Sequence, residues 1–356
     1  MSNGSDNVYL NILIPNNIPS TNPFPQAIQA VYDESLTQPV LADPSKYYAS
    51  IIRFSMPLDT IPFFSFPLDR SQTNANLSQL LIGITNNVGV DFPAFVTYIP
   101  QNDYPPPVTT DPTFSYGQSI SPYYFIYSIQ PFINMINTAL LAAYTASTVG
   151  GGAPFYVYNP ATQLIGLVVT AGFLATGAKI YMNNYLKNYL DSFPFYSKNS
   201  IQTGAYRYTH NLDTLPYGAP VGGPYEFLEE YNSLDLWFDI RKIVVTSSSL
   251  PVIPEASPSF VPDASYGTNG SANYSPIVTD FVISYNNIND VSSVLVYEPS
   301  PQYRLVNMSS QSPIQRLNFS FFWLSKNGTL YPVFLSPNNS ITMKIGFFKK
   351  DLYKNS

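Results

Sequence analysis

Few residues in this chain could do chemistry, and their spacing works against it. Gly172-Phe-Leu-Ala-Thr-Gly177-Ala178-Lys179 comes close to a phosphate-binding loop. In that loop the lysine follows the second glycine directly, so that its ammonium and the loop amides reach one phosphate. Here Ala178 displaces the lysine by one position and no Ser or Thr follows it, so no nucleotide site is expected. Gly150-Gly151-Gly152 reads as a helix cap and linker. The single histidine, His210 in YRYTHNLD, cannot build a histidine-cluster metal site. It also lacks the G-x-S-x-G elbow that would present a serine to it, so a loop histidine is expected.

Paired carboxylates are the remaining route to catalysis, as in a glycoside hydrolase. Glu229 and Glu230 are adjacent, so on a strand they would point to opposite faces. Asp235 and Asp239 are four apart, which brings side chains together only on a helix, and Trp237-Phe238 with the KIVV that follows reads as strand. No catalytic residue, cofactor site or metal site is predicted. The Asn-x-Ser/Thr sequons at Asn307, Asn318 and Asn327 are what chance gives in an Asn- and Ser-rich chain.

The elements that would have to hold any site are mostly strands. The chain has 356 residues, 45% hydrophobic and only 11% charged, with 29 tyrosines, 24 phenylalanines and 33 prolines. An average soluble domain carries about 25% charged residues. Such a surface must be shielded by Asn, Ser, Thr and Tyr or buried in an assembly, so an oligomer is expected. The net charge of −6 and pI near 4.7 argue against a nucleic-acid coat, leaving any such contact minor. Lysines do gather late, at Lys344, Lys349, Lys350 and Lys354. A solvated, edge-protecting strand end is the first reading, and an inward-facing basic patch of Lys344, Lys349 and Lys350 is the second. There are no cysteines, hence no disulfides or thiolate sites. MSNGSDNVYLNILIPNN lacks a basic n-region and a long apolar core, so neither a signal peptide nor a secreted location is expected. No run reaches the length of a membrane span.

Along the chain, residues 1–46 read as an extended arm with one apolar patch at Tyr9–Ile14. Strands are predicted at 47–56, 61–66, 80–85 and 92–99, before the proline-rich break QNDYPPPVTTDPT. Residues 123–147 carry the one convincing helix, with Phe132, Met135, Ile136, Ala139, Leu140 and Ala143 at three- and four-residue spacing. From 236 onward the pattern is all strand. Many short strands with regular turns suggest a sandwich or barrel. The first strand set is too short for its own sandwich and the last would leave an edge open without it. One discontinuous domain is therefore expected, residues 47–100 with 236–350, carrying 101–235 as an inserted α+β domain and ending in a tail at 351–356.

Six segments look family-specific: KYYASIIRFSMPLDTIPFF (46–64), YYFIYSIQPFINMINTALLAAY (123–144), LWFDIRKIVVTSSSLPVIPE (236–255), IVTDF (277–281), VLVYEPSPQYRLVNM (294–308) and FSFFWLSKNGTLYPVFL (319–335). In this order they resemble the penton (minor capsid) proteins of virophages and polinton-like viruses. The resemblance implies a mainly β protein, a single jelly roll of eight strands in two sheets. It implies five copies at a vertex of an icosahedral capsid, touching double-jelly-roll major capsid trimers, in a virion assembled in the host cytoplasm or viral factory. It offers no catalytic residues. Candidate subunit contacts are the aromatic loops at Phe63, Tyr303 and Tyr331, together with Phe322 and Leu324, and the insertion could meet a host or giant-virus surface. The alternatives are a glycan- or receptor-binding sandwich and a sandwich glycoside hydrolase.

FSFFWLSKNGTLYPVFL also poses a packing question. Phe319, Phe321 and Trp323 alternate to one face, whereas Phe322 and Leu324 point to the other. A one-sided sheet should have a polar second face. The expectation is that the second face is covered by the insertion, the arm or an adjacent subunit.

Overall fold

The computed structural model describes residues 7–16, 28–57, 61–68, 76–101, 122–199, 206–216, 218–253, 255–256, 274–282, 294–298, 304–326 and 330–352. The chain divides into two compact units, one of residues 1–62 with 239–356, the other of residues 63–238.

The first unit is the jelly roll, built of two antiparallel sheets. One sheet runs in the order Asn7–Pro15, Ser340–Lys349, Tyr47–Pro57, Val294–Tyr297, with Val306–Asn307 also on Tyr47–Pro57. The other runs Ile277–Val282, Ile240–Thr246, Arg316–Ser325, Leu330–Pro332, with Val31–Ser35 also on Arg316–Ser325. Strict alternation makes the core. In Arg316–Ser325 the residues Leu317, Phe319, Phe321 and Trp323 are buried, and their neighbours are not. Phe54 of the first sheet lies 4.8 Å from Phe281 and 5.6 Å from Phe321 of the second, ring to ring, so the two inner faces meet there. Fully burying one such ring contributes about 1.5–3 kcal/mol.

The described parts of the segment that sequence reads as an extended arm are woven into both sheets. Asn7–Pro15 pairs residue for residue with Ser340–Phe348. Ile28–Gln29 pairs with Phe334–Leu335, and Val31–Ser35 with Arg316–Ser320. The reason lies in the patch noted in the sequence. Within Tyr9–Ile14, Ile12 and Ile14 alternate inward and are 4% exposed, so the strand gains a core face by docking.

The second unit holds a sheet in the order Phe195–Asn199, Tyr206–His210, Lys179–Asn183, Leu77–Thr85, Asp91–Thr97. A smaller sheet has the order Tyr225–Leu228, Leu164–Val169, Phe155–Asn159. The long helix spans Ile129–Ser147 and buries Phe132, Ile133, Met135, Ile136, Ala139, Leu140 and Ala143. Its start falls later than the aromatic run suggests, because Phe125–Ile126 instead pairs with Phe64–Ser65. Thr148 ends it in the left-handed conformation, at φ 54°. Phe64, Phe132, Tyr189 and Trp237 form one aromatic knot, with ring centroids 4.9–6.3 Å apart.

The boundary therefore falls at Pro62, not at residue 100. Leu77–Thr85 belongs with Lys179–Asn183: Ile82, Gly83, Ile84 and Thr85 face Met182, Tyr181, Ile180 and Lys179 in register. Gly83 lies under the Tyr181 ring, where a Cβ would come within 2.4 Å of it. At the other junction Leu234–Trp237 is a helical turn inside the second unit, and the strand begins only at Ile240.

Candidate assembly surfaces

The residues that could have done chemistry are committed to packing. His210 is 2% exposed, its Nε2 sits 2.6 Å from the Tyr156 hydroxyl, and the Phe193 and Phe195 rings flank it. It is a strand residue, not the loop histidine expected, and burial pushes its pKa down to about 3, so the ring is neutral near pH 7. Glu229 is buried whereas Glu230 is exposed. The Ile165 N–H donates to Glu229 Oε2 at 2.9 Å and the Ser233 hydroxyl donates to Oε1, while the Glu229 N–H returns to the Ile165 carbonyl. Burial pushes this carboxyl above its ordinary range. It straps two chain segments together. Asp239 likewise accepts the Lys326 N–H at 3.0 Å, and burial raises it too. The side chain of Asp235 lies outside the described residues. Lys179, at the end of the near phosphate loop, bonds Asp213 at 2.6 Å. Among the described residues no three His, Cys, Asp or Glu side chains gather as a metal site. No helix there is long and apolar enough to cross a membrane.

The candidate contact residues separate into three groups. Phe63 is 3% exposed, edge-on to Phe238 at 4.6 Å, so it belongs to the interior and not to a subunit contact. Sequence reasoning placed it on a loop because the chain turns there. Its N–H in fact bonds the Ile126 carbonyl beside the short Phe64–Ser65 pairing. Tyr303 lies outside the described residues, as does the Asn327–Thr329 turn. Phe322 and Leu324 share one face of their strand, whereas Tyr331, in register with Trp323, lies on the other face. Tyr331 stacks on Trp323 at 4.2 Å with 13° between planes. Phe322 and Leu324 are half-buried against Val244, Ile277 and Leu330. The register gives the second face its rows: Asp280, Val244, Phe322 and Pro332, then Val282, Lys242, Leu324 and Leu330. Lys242 in the second row bonds Asp280 in the first at 2.6 Å. Part of the answer to the packing question is thus lateral. Large side chains on adjacent strands cover one another, while Val282 at the row's end stays 78% exposed.

Of the late lysines, Lys344 and Lys350 have different partners. Lys344 lies 5.3 Å from the centroid of the Tyr9 ring. Lys350, six positions on and about 20 Å away along an extended chain, donates to the carbonyls of Ser45 at 2.6 Å and Met308 at 3.0 Å. It fastens two loops. Sequence reasoning also missed exposed aliphatics on the outer face of the first sheet, among them Leu13, Val294 and Val296. Their alternation with less exposed neighbours is the available signal.

The first unit is thus a jelly roll with aliphatic side chains exposed on its outer faces, and the described reactive groups are committed to packing. The chain belongs to the Sputnik minor capsid protein V18/19 family, whose sequence profile matches residues 8–350. It is 34% identical over 157 residues to the uncharacterized protein V18 of Sputnik virophage, covering 42% of this chain and 91% of V18. It is 27% identical over 213 residues to the structural protein V19 of the same virophage, covering 56% of this chain and 95% of V19. A chain in the cryo-EM structure of the Sputnik virophage superposes with a TM-score of 0.77 at 27% identity, covering 99% of this chain and 100% of that one. The crystal structure of the mavirus penton protein superposes at 0.63 with 18% identity, covering 96% and 99%, a likeness of fold. The family is one of structural capsid proteins, and the chain is a minor capsid protein and not an enzyme.

Proposed function

We propose that this minor capsid protein forms the five-copy vertex of an icosahedral virophage capsid and contacts the surrounding major capsid protein trimers. The observation that carries the reading is the full-length likeness to a chain of the Sputnik particle, together with the likeness of fold to a penton. The composition supports it: a chain with 11% charged residues lowers the cost of its exposed aliphatic rows by burying them against neighbours. Closed five-fold symmetry needs two different patches per subunit. Phe322 and Leu324 on one face of the sheet and Tyr331 on the other are candidates for parts of these patches. The unit of residues 63–238 is the insertion carried by the jelly roll, and a host or giant-virus surface ligand is assigned to it. Native mass spectrometry of the purified chain, alone and with its major capsid protein, tests the copy number. Five-copy species uphold the reading, and monomers under both conditions overturn it.

A further inference from the structure

Strand Asn7–Pro15 is the first described element and an edge of its sheet, paired among the described residues with Ser340–Lys349 alone. A terminal edge strand leaves its place without breaking any other pairing. Its seat is nonetheless well defined. Nine register pairs hold it, Ile12 and Ile14 are 4% exposed, and the Tyr9 ring meets Phe348 edge-on at 6.0 Å. Buried Asn16 closes the seat: its N–H donates to the Asn339 carbonyl at 2.9 Å and its Nδ2 to the Leu335 carbonyl at 2.8 Å. The strand carries no charged residue, and every copy of the chain offers the same seat. Exchange of the strand between copies therefore keeps each of these contacts and adds a link between chains.

The connection that follows the strand decides which copy supplies it. Asn16 bonds Leu335, and Ile28, where the described chain is next paired, stands opposite Leu335 in register. Both ends of residues 17–27 thus meet at one residue, where about two to five residues suffice for a turn. The chain places eleven there, NIPSTNPFPQA, with Pro19, Pro23 and Pro25 among them. By contrast a single residue, Ala30, joins Ile28–Gln29 to Val31–Ser35. Proline biases a linker toward an extended path, which works against closing a loop on itself. Twelve links from Asn16 to Ile28 reach about 40 Å, more than the ~30 Å width of a small domain. Length and composition both suit a crossing to a neighbour better than a return to the same sheet.

We propose that in the assembled ring each copy hands strand Asn7–Pro15 to its neighbour, where it seats along Ser340–Lys349. The proposal rests on the five-copy reading and names the link between copies. The contact is heterologous, strand to groove, so it propagates round a closed ring. Leu13 stands opposite Thr342 on the exposed face. Antiparallel partners have Cα atoms about 4.5–5.5 Å apart, within disulfide range. The chain has no cysteine, so full-length Leu13→Cys/Thr342→Cys tests the exchange cleanly. The variant is assembled with the major capsid protein, its rings are sized by native mass spectrometry, and it is oxidised and run on a denaturing gel without reductant. Exchange yields a ladder of two to five linked chains that reductant collapses. Rings that give no ladder, their disulfides internal or absent, overturn the exchange and leave the five-copy reading standing. A wild type that gives no five-copy species, even with the major capsid protein, overturns both. The same double variant lacking residues 19–25 keeps four linking residues, with a reach of about 17 Å. That closes within one chain and falls short of a neighbour. Its fold, checked by near-ultraviolet circular dichroism, is retained, and the ladder gives way to internal disulfides. A ladder that survives the deletion traces the links to faces touching between copies and overturns the exchange.

Discussion

Acidification will weaken the 63–238 unit through His210. In the folded chain burial holds its pKa at about 3, against an ordinary 6.5. The unfolded state therefore takes up a proton first as the pH falls. Stability is full above pH 6.5 and declines through the window from 6.5 down to about 3. Each pKa unit corresponds to about 1.4 kcal/mol, so moving from pH 7 to pH 5 removes ~2 kcal/mol through this one residue. For a unit of this size that is a fall in Tm of roughly 4–8 °C. The assay is urea unfolding of the full chain at both pH values, wild type beside His210→Gln. The glutamine keeps a hydrogen-bonding partner near Tyr156 but does not titrate in this range. Comparing the two pH dependences removes every other titrating group. The wild type should lose ~2 kcal/mol more than the variant between pH 7 and pH 5. Equal losses would refute the claim that a neutral, buried His210 is part of the folded state.

Three further outcomes follow from the same contacts. Trp323→Ala removes the ring stacked on Tyr331 and opens a cavity in the core, and should cost about 3–5 kcal/mol in urea unfolding. Deleting residues 1–16 strips the nine-residue ladder from Ser340–Lys349; the truncated chain should have a lower unfolding midpoint and aggregate through the newly bared edge, seen by light scattering. A freely extended arm would be lost without either effect. Lys350→Met removes two charge-assisted bonds to loop carbonyls and should cost about 1.5–3 kcal/mol, while leaving the salt dependence of any DNA binding unchanged in a filter assay.

The strands were legible because their alternation survives in the sequence. The run predicted at 47–56 is the strand Tyr47–Pro57, and the FSFFW alternation becomes the buried and half-buried faces of Arg316–Ser325. The helix was legible from its three- and four-residue spacing. Strand partners were not, because alternation says which face is inward and nothing about which strand lies alongside. For that reason sequence groups Leu77–Thr85 with Tyr47–Pro57, whereas its register partners are Asp91–Thr97 on one side and Lys179–Asn183 on the other. The arm was missed because proline and asparagine dominate residues 15–25, hiding a short alternation that long-range pairing completes. Phe63 shows the same limit at one residue. An aromatic near a turn can point to solvent or into a core, and only the Phe238 ring opposite it decides. Among the surfaces, a row such as Leu13, Thr342, Ser55 and Val296 draws on strands far apart in sequence, so no local pattern could announce it.

An icosahedral reconstruction of the particles that contain this chain tests whether it is the vertex subunit. Density for five copies around each five-fold axis, jelly roll against jelly roll and in contact with the surrounding major capsid protein, is the expected result. Vertices filled by another protein, or this chain at a position without five-fold symmetry, would contradict it.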